Sequence, residues 1–245
     1  MPKSPVRRLQ RALDDLVGVL IGHLPMELRA RLMLFTSVAL VVVLPVLPGL
    51  PGGVQLGRLL MLLQLLASMD FIYGLPSRRP LAIRLVVVGG LLALLVSAVD
   101  LNLLQRLSPV PQMLFAIYFC VVTGILIRVL LRMPRVTRQV LWVAMSGYLM
   151  LVISGGFLGA ILEYFQPDSF HLQRTLPELH NLPALVYFSF ITISSVGFGD
   201  IYPLSPLARG LTVLLGSLGV FYSTLVLAIL LGRYSHEDDT DDSTG

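Results

Sequence analysis

The sequence predicts an all-α membrane protein: six transmembrane helices, a short helix and loop that re-enter the bilayer between the fifth and sixth, and an amphipathic N-terminal helix. Three observations predict it. Hydrophobic residues make up 56% of the chain, charged ones only 13%, and the mean hydropathy is +0.83, far above that of an average soluble domain. Several apolar stretches reach about 20 residues, the length an α-helix needs to cross ~30 Å of hydrocarbon. Arginines gather in alternate connectors, as the positive-inside rule demands of a chain that threads back and forth.

The first element lies within residues 1–31. "VRRLQRALDDLVGVLIGHL" sets Val6, Leu9, Leu13, Leu16, Val17 and Leu20 at three- and four-residue intervals, with arginines, Asp14 and Asp15 between them. Such a helix lies in the cytoplasmic headgroup layer or packs on a neighbouring subunit, and the arginines on its polar side favour lipid. No apolar core followed by a small-residue cleavage site is present there, so the segment is expected to be retained.

Six apolar runs follow, at 32–50, 55–75, 83–101, 110–131, 139–162 and 204–231. Arg78, Arg79 and Arg84 follow the second run and Arg128, Arg132, Arg135 and Arg138 the fourth, whereas "LPGLPGG" after the first carries no charge. Both termini are therefore expected in the cytoplasm and the connector 163–181 outside. The organisation that results is a four-helix peripheral region at 32–131, a cytoplasmic linker at 132–138, a second membrane region at 139–233 and an acidic tail at 234–245, expected to be disordered. With so short a tail after residue 234, gating through a cytoplasmic ligand-binding domain is not expected.

Several function classes drop out. The basic residues are scattered between apolar runs instead of sharing a polar face with aromatics, which argues against nucleic acid. No paired carboxylates, no nucleophile with its base and no phosphate loop appear, so neither an enzyme nor a cofactor is expected. Cys120, the one cysteine, lies in an apolar run and is expected to be a small packed side chain. Lys3 is the only lysine among 18 basic residues, a composition that points to a GC-rich bacterial genome and hence to the inner, multi-pass cell membrane.

One short apolar run, 182–193, is too short to span and follows polar sequence on the outside. It must dip in and return. Pro183 suits the first turn of a helix there, with Asn181 as a candidate cap. "TISSVGFGD", residues 192–200, comes next. Irregular backbone at membrane depth is tolerated only where it is buried in protein or lines a watery path. Gly197 and Gly199 accept dihedrals forbidden to other residues, which lets successive carbonyls aim one way instead of alternating as in a strand. A dehydrated cation would satisfy them. One loop supplies too few oxygens, whereas four around an axis supply rings.

In these residues the chain resembles the tetrameric potassium channel family, whose filter carries a TVGYG-like loop. The resemblance covers roughly 139–231, through Thr192, Ser194, Ser195, Val196, Gly197, Phe198, Gly199 and Asp200. It implies a homotetramer among membrane lipids, with 182–193 as pore helix and stacked K+ sites made by the carbonyls of Ser195, Val196, Gly197 and Phe198 and the Ser195 hydroxyl. Two departures loosen the bracing. Ser195 replaces the usual Thr and loses its stiffening methyl, and Phe198 replaces the usual Tyr and lacks its hydroxyl. Many members pair the filter Asp with a pore-helix Trp, but the only Trp here is Trp142, which leaves Tyr187 as the candidate partner of Asp200.

Further along, Gly219 stands where many members have a hinge glycine; a small residue easing helix packing is the equal alternative, as for Gly216. Thr212, Ser217, Ser223 and Thr224 are the candidate polar residues of a pore face. Arg132, Arg135 and Arg138 have the spacing of a voltage-sensing helix, but residues 109–127 are uncharged and Pro134 breaks the pattern. Arg128 alone could lie in the membrane field, with Asp70 as a candidate ion-pair partner of Arg128 or Arg132, so steep voltage gating is not expected. Glu163, Asp168, His171, Glu178 and His180 read as a solvated outer connector. The alternatives are a nonselective cation channel and, from other classes, a secondary transporter with a broken helix or a non-conducting membrane scaffold.

Overall fold

The computed structural model describes residues 25–49, 53–73, 91, 109–132, 138–172 and 181–241. The N-terminal amphipathic segment up to residue 24, the third apolar run apart from residue 91, Arg78, Arg79, Arg84, Pro134, Arg135, Glu178 and His180 lie outside the described residues.

Helix α1 covers Met26–Val43 and continues as a 3-10 turn, Leu44–Gly49. It starts six residues before the apolar run does, because Glu27 and Arg31 pair one turn apart and carry the helix into polar sequence. The division at residue 31 therefore falls inside a helix. Pro45 and Pro48 cannot donate main-chain hydrogen bonds, which ends the α-helix in "LPVLPG". Helix α2 is Gly53–Tyr73 and α3 is Pro109–Arg132, with Pro109 and Pro111 in the first turn, where their missing N–H groups cost nothing. Helix α4 is Arg138–Phe165, α5 is Asn181–Ile193 and α6 is Pro206–Asp241. Two short strands, β1 at Phe170–His171 and β2 at Tyr202–Pro203, pair antiparallel between them.

Among the described residues four stretches are long and apolar enough to cross a membrane: Glu27–Val46, Gln112–Arg132, Arg138–Phe165 and Pro206–Ile229. Within α2 the apolar stretch is shorter, Leu59–Ser68. Helix α4 is central. It packs against α1, α3, α5 and α6, and 67% of its span is buried, against 17% for α6.

The peripheral helices and the later ones share one core. Phe115 and Phe119 of α3 stack on Phe157 of α4 at 5.5 and 5.4 Å, and the same cluster takes in Leu40 of α1, Leu65 of α2, Val186 of α5 and Leu215 of α6. Several polar groups inside it are satisfied: Ser37 and Ser154 donate to carbonyls one turn back, and Ser68 of α2 meets the Tyr118 hydroxyl of α3, whereas Gln64 Oε1 is buried without a partner among the described residues. Tyr222 of α6 donates to the Ala144 carbonyl at 2.6 Å, and its ring fits because Gly147 has no side chain.

Two expectations need correction. Cys120 is exposed in the single chain, although its thiol reaches Ser154 of α4: an all-apolar helix does not reveal which of its faces the rest of the chain covers. The acidic tail is helical as far as Asp241, since no proline follows Pro206 and no glycine lies between Gly232 and Gly245 to stop the helix.

Candidate functional site

Helix α5 has 13 residues, about 20 Å at 1.5 Å per residue, well short of a bilayer's hydrocarbon. Among the described residues it runs from Asn181, with Pro183 in the first turn of that stretch. Leu185, Val186, Phe188, Ser189, Ile191 and Ile193 form its buried face. That face rests on a glycine stripe of α4. A Cβ on Gly156 would meet the Val186 Cα at 2.7 Å, one on Gly155 the Ser189 hydroxyl, and one on Gly159 the Leu185 side chain at 3.4 Å. In lipid, where apolar side chains gain nothing by leaving water, such close backbone approach is what holds helices together. The stripe was there to be found in "SGGFLGA" as a small-residue repeat four apart, but sequence reasoning missed it.

Helix α5 ends by folding the next residues back onto itself. The Ser194 N–H donates to Phe190 O at 2.9 Å, the Ser195 N–H to Thr192 O at 3.1 Å, and the Val196 and Gly197 N–H groups both to Ile191 O at 2.9 and 3.0 Å. Four consecutive donors are thus spent on the helix. Over the next residues the backbone alternates: Ser195, Gly197 and Gly199 have φ of 60, 54 and 78°, whereas Val196, Phe198 and Asp200 do not enter that region. Flipping every second residue to positive φ turns alternate peptide planes over, so that successive carbonyls can share one side. No main-chain hydrogen bond among the described residues ends on a carbonyl of 194–200.

Ser195 to Asp200 are all exposed in the single chain, including Val196 at 51% and the Phe198 ring at 72%. A ring that apolar facing open space marks a surface that wants cover. Electrostatically the loop suits a cation, because its main chain offers oxygens, the negative end of α5 points into it, and the Asp200 carboxylate closes it.

Asp200 is held. Its Oδ2 accepts the Tyr187 hydroxyl at 2.8 Å, which ties the loop's exit to the helix at its entrance. That bond pushes the Tyr187 phenol above its ordinary value of 10.0, so it remains a donor at neutral pH. Beyond Asp200, β2 pairs with β1 and the Tyr202 ring stacks on His171 at 4.7 Å. The β1 side is fixed in turn by Glu163, whose carboxylate accepts the N–H groups of Asp168 and Phe170 at 3.0 and 3.1 Å, while the Phe170 ring meets Phe188 of α5 edge-on. Ser205 then caps α6 by accepting the Ala208 N–H at 3.1 Å, with Pro206 as the first helical residue.

Gly219 of α6 lies beneath the end of α5: a Cβ there would sit 2.3 Å from the Ile193 carbonyl oxygen. Close packing is reason enough for glycine, and α6 runs unbroken through it. Thr212 and Ser223 return their hydroxyls to Ala208 O and Gly219 O, whereas Ser217 and Thr224 are exposed. Thr192 is half-buried, and Ser194 donates its hydroxyl to Phe190 O at 2.7 Å. The structure thus gathers Tyr187, Thr192 and Ser194–Asp200 at one place. Arg128 is elsewhere, exposed near the far end of α3, and Asp70 lies near the end of α2.

Residues 146–235, from within α4 through α5 and the loop into α6, match the family model described as "Ion channel". Neither the curated proteins nor the solved structures gave a match to the chain.

Proposed function

We propose, from the match of residues 146–235 to the "Ion channel" family model, that the chain is one subunit of a homotetrameric channel that conducts K+ passively and selectively. The observation that carries the proposal is the alternation of left-handed φ at Ser195, Gly197 and Gly199 after a helix end that has consumed the neighbouring N–H donors. Four such loops around an axis would stack the carbonyls of Ser195, Val196, Gly197 and Phe198, with the Ser195 hydroxyl below them, into rings that replace the water a K+ ion gives up. K+ is the cargo; no catalytic step belongs to this reading.

In the assembly α5 is the pore helix, α4 the outer helix and α6 the inner helix. Thr192, Ser194, Tyr187 and Asp200 support the filter. The exposure of Val196, Phe198 and most of α6 in the single chain supports the reading, because neighbouring subunits and an axial pore would use those faces. Six spans per subunit, with both termini in the cytoplasm of a bacterial inner membrane, follow from the alternation of arginine-rich connectors.

Voltage supplies little of the opening energy on this reading, since a full crossing is worth ~2.3 kcal/mol per charge per 100 mV and only Arg128 of α3 approaches the field. A nonselective cation pore is the nearest alternative, favoured by one observation: Phe198 has no hydroxyl with which to brace the ring. Full-length protein in K+-loaded liposomes tests conduction. Outward K+ flux that stops at the K+ equilibrium potential is expected, and absence of flux, as from a scaffold, or flux that stalls without a co-substrate, as from a transporter, refutes the channel.

A further inference from the structure

A corner between α1 and α4, remote from the loop, sets a cation against an indole ring, with two N–H donors that find no acceptor among the described residues. The Arg31 guanidinium lies over the Trp142 ring, 5.9 Å from its centroid. Arg31 pairs with Glu27, yet its Nε and the Trp142 Nε1 are both shut off from solvent without a partner among the described residues. Arg138 is exposed one turn before Trp142 on the same side of α4. Both helices start here, so on the membrane reading the corner lies at headgroup level, where Trp and Arg concentrate. Beside these groups Leu32 of α1 and Leu141 of α4 are exposed at 40 and 41%, and about one turn deeper Phe35 and Met145 at 66 and 53%, apolar side chains leading away from the charges.

We propose that this corner is a binding site for an anionic phospholipid. Its phosphate is held between Arg31 and Arg138, the Trp142 ring backs the Arg31 guanidinium, and an acyl chain lies along Phe35 and Met145. Glu27 offsets part of the Arg31 charge, so the second arginine is needed for net attraction. Free phosphate carries the same charge but makes no use of the apolar track. The inference rests on the channel reading only in placing these helix ends at a bilayer surface.

Trp142 is the only tryptophan in the chain, so its emission reports on the site directly. Full-length protein in phosphatidylcholine bilayers with increasing phosphatidylglycerol should show a saturable change in emission. Arg138→Gln should weaken the apparent affinity about fivefold, and Arg31→Gln should remove the saturable component. Glycerol phosphate in solution should do nothing. An identical response in pure phosphatidylcholine, a response reproduced by glycerol phosphate, or unaltered titrations in the variants overturns the site. Should Arg31→Gln fail to fold, the exposed Arg138→Gln decides alone. Conduction does not enter: a protein that passes no ions but shows the phosphatidylglycerol response keeps the lipid site and loses the channel.

Discussion

The Gly219 backbone of α6 lies so close to the end of α5 that a Cβ would sit 2.3 Å from the Ile193 carbonyl oxygen and 3.0 Å from its Cα. The atoms in the way are main chain, at the point where the short helix gives way to the loop, and cannot rotate aside. Gly219→Ala is therefore expected to push α6 off α5 and destabilise the fold by about 1–3 kcal/mol, read as a lower melting temperature of the solubilised protein. Gly216→Ala, whose Cβ would find only the Thr192 methyl at 4.0 Å, should be tolerated. A pure hinge role for Gly219 would give the reverse pattern, with stability intact and only gating altered.

Tyr187→Phe removes the hydroxyl that Asp200 accepts while keeping the ring in place. Both partners border an exposed loop, so the variant should fold as the parent does. Its currents should decay faster during sustained opening and its preference for K+ over Na+ should fall, measured in planar bilayers. The pH dependence has a definite sign. The folded-state value of Tyr187 is raised above 10.0, so the bond's contribution is fully present below that pH and is lost only as pH climbs through the raised value. Parent protein made alkaline should approach the behaviour of Tyr187→Phe.

Along the stripe of α4, Gly156→Ala should separate α4 from α5, because Val186 Cα and N lie 2.7 and 3.0 Å from the added carbon. Gly124→Ala on α3, with nothing within 4 Å, is the control and should be silent. Tyr222→Phe, which loses one interhelical hydrogen bond to Ala144 O, should cost only about 0.6 kcal/mol. Thermal unfolding in detergent ranks the three.

Arg128→Gln is expected to leave the relation between open probability and voltage unmoved. Residues 112–127 of α3 are uncharged and Arg128 is exposed near its end. A clear shift of the midpoint would mean that α3 moves charge through the field after all.

How far the sequence reached depends on the range of each interaction. The loop was legible because its chemistry is local: glycines at 197 and 199 announce main-chain conformations that few other residues adopt, and Ser195 shares that conformation in the structure. The contact between Tyr187 and Asp200 was nameable since few polar side chains compete for the carboxylate. Features that arise between helices left weaker traces. Nothing in the sequence says that Ile191 O accepts two N–H groups, or that Gly219 meets Ile193 while Gly216 meets almost nothing. Helices apolar on every side conceal their orientation, which is why Cys120 was misjudged. The start of α1 at Met26 and the helical tail to Asp241 were missed because hydropathy marks where a helix meets lipid, not where its hydrogen bonds end.

The reversal potential with K+ on one side of a planar bilayer and Na+ on the other tests the central claim most directly. Carbonyl rings at Ser195–Phe198 should draw it far toward the K+ equilibrium potential, and Val196→Asp, which puts a charge beside them, should bring it back toward zero. A reversal potential at zero in the parent protein would show that these oxygens do not distinguish the two ions.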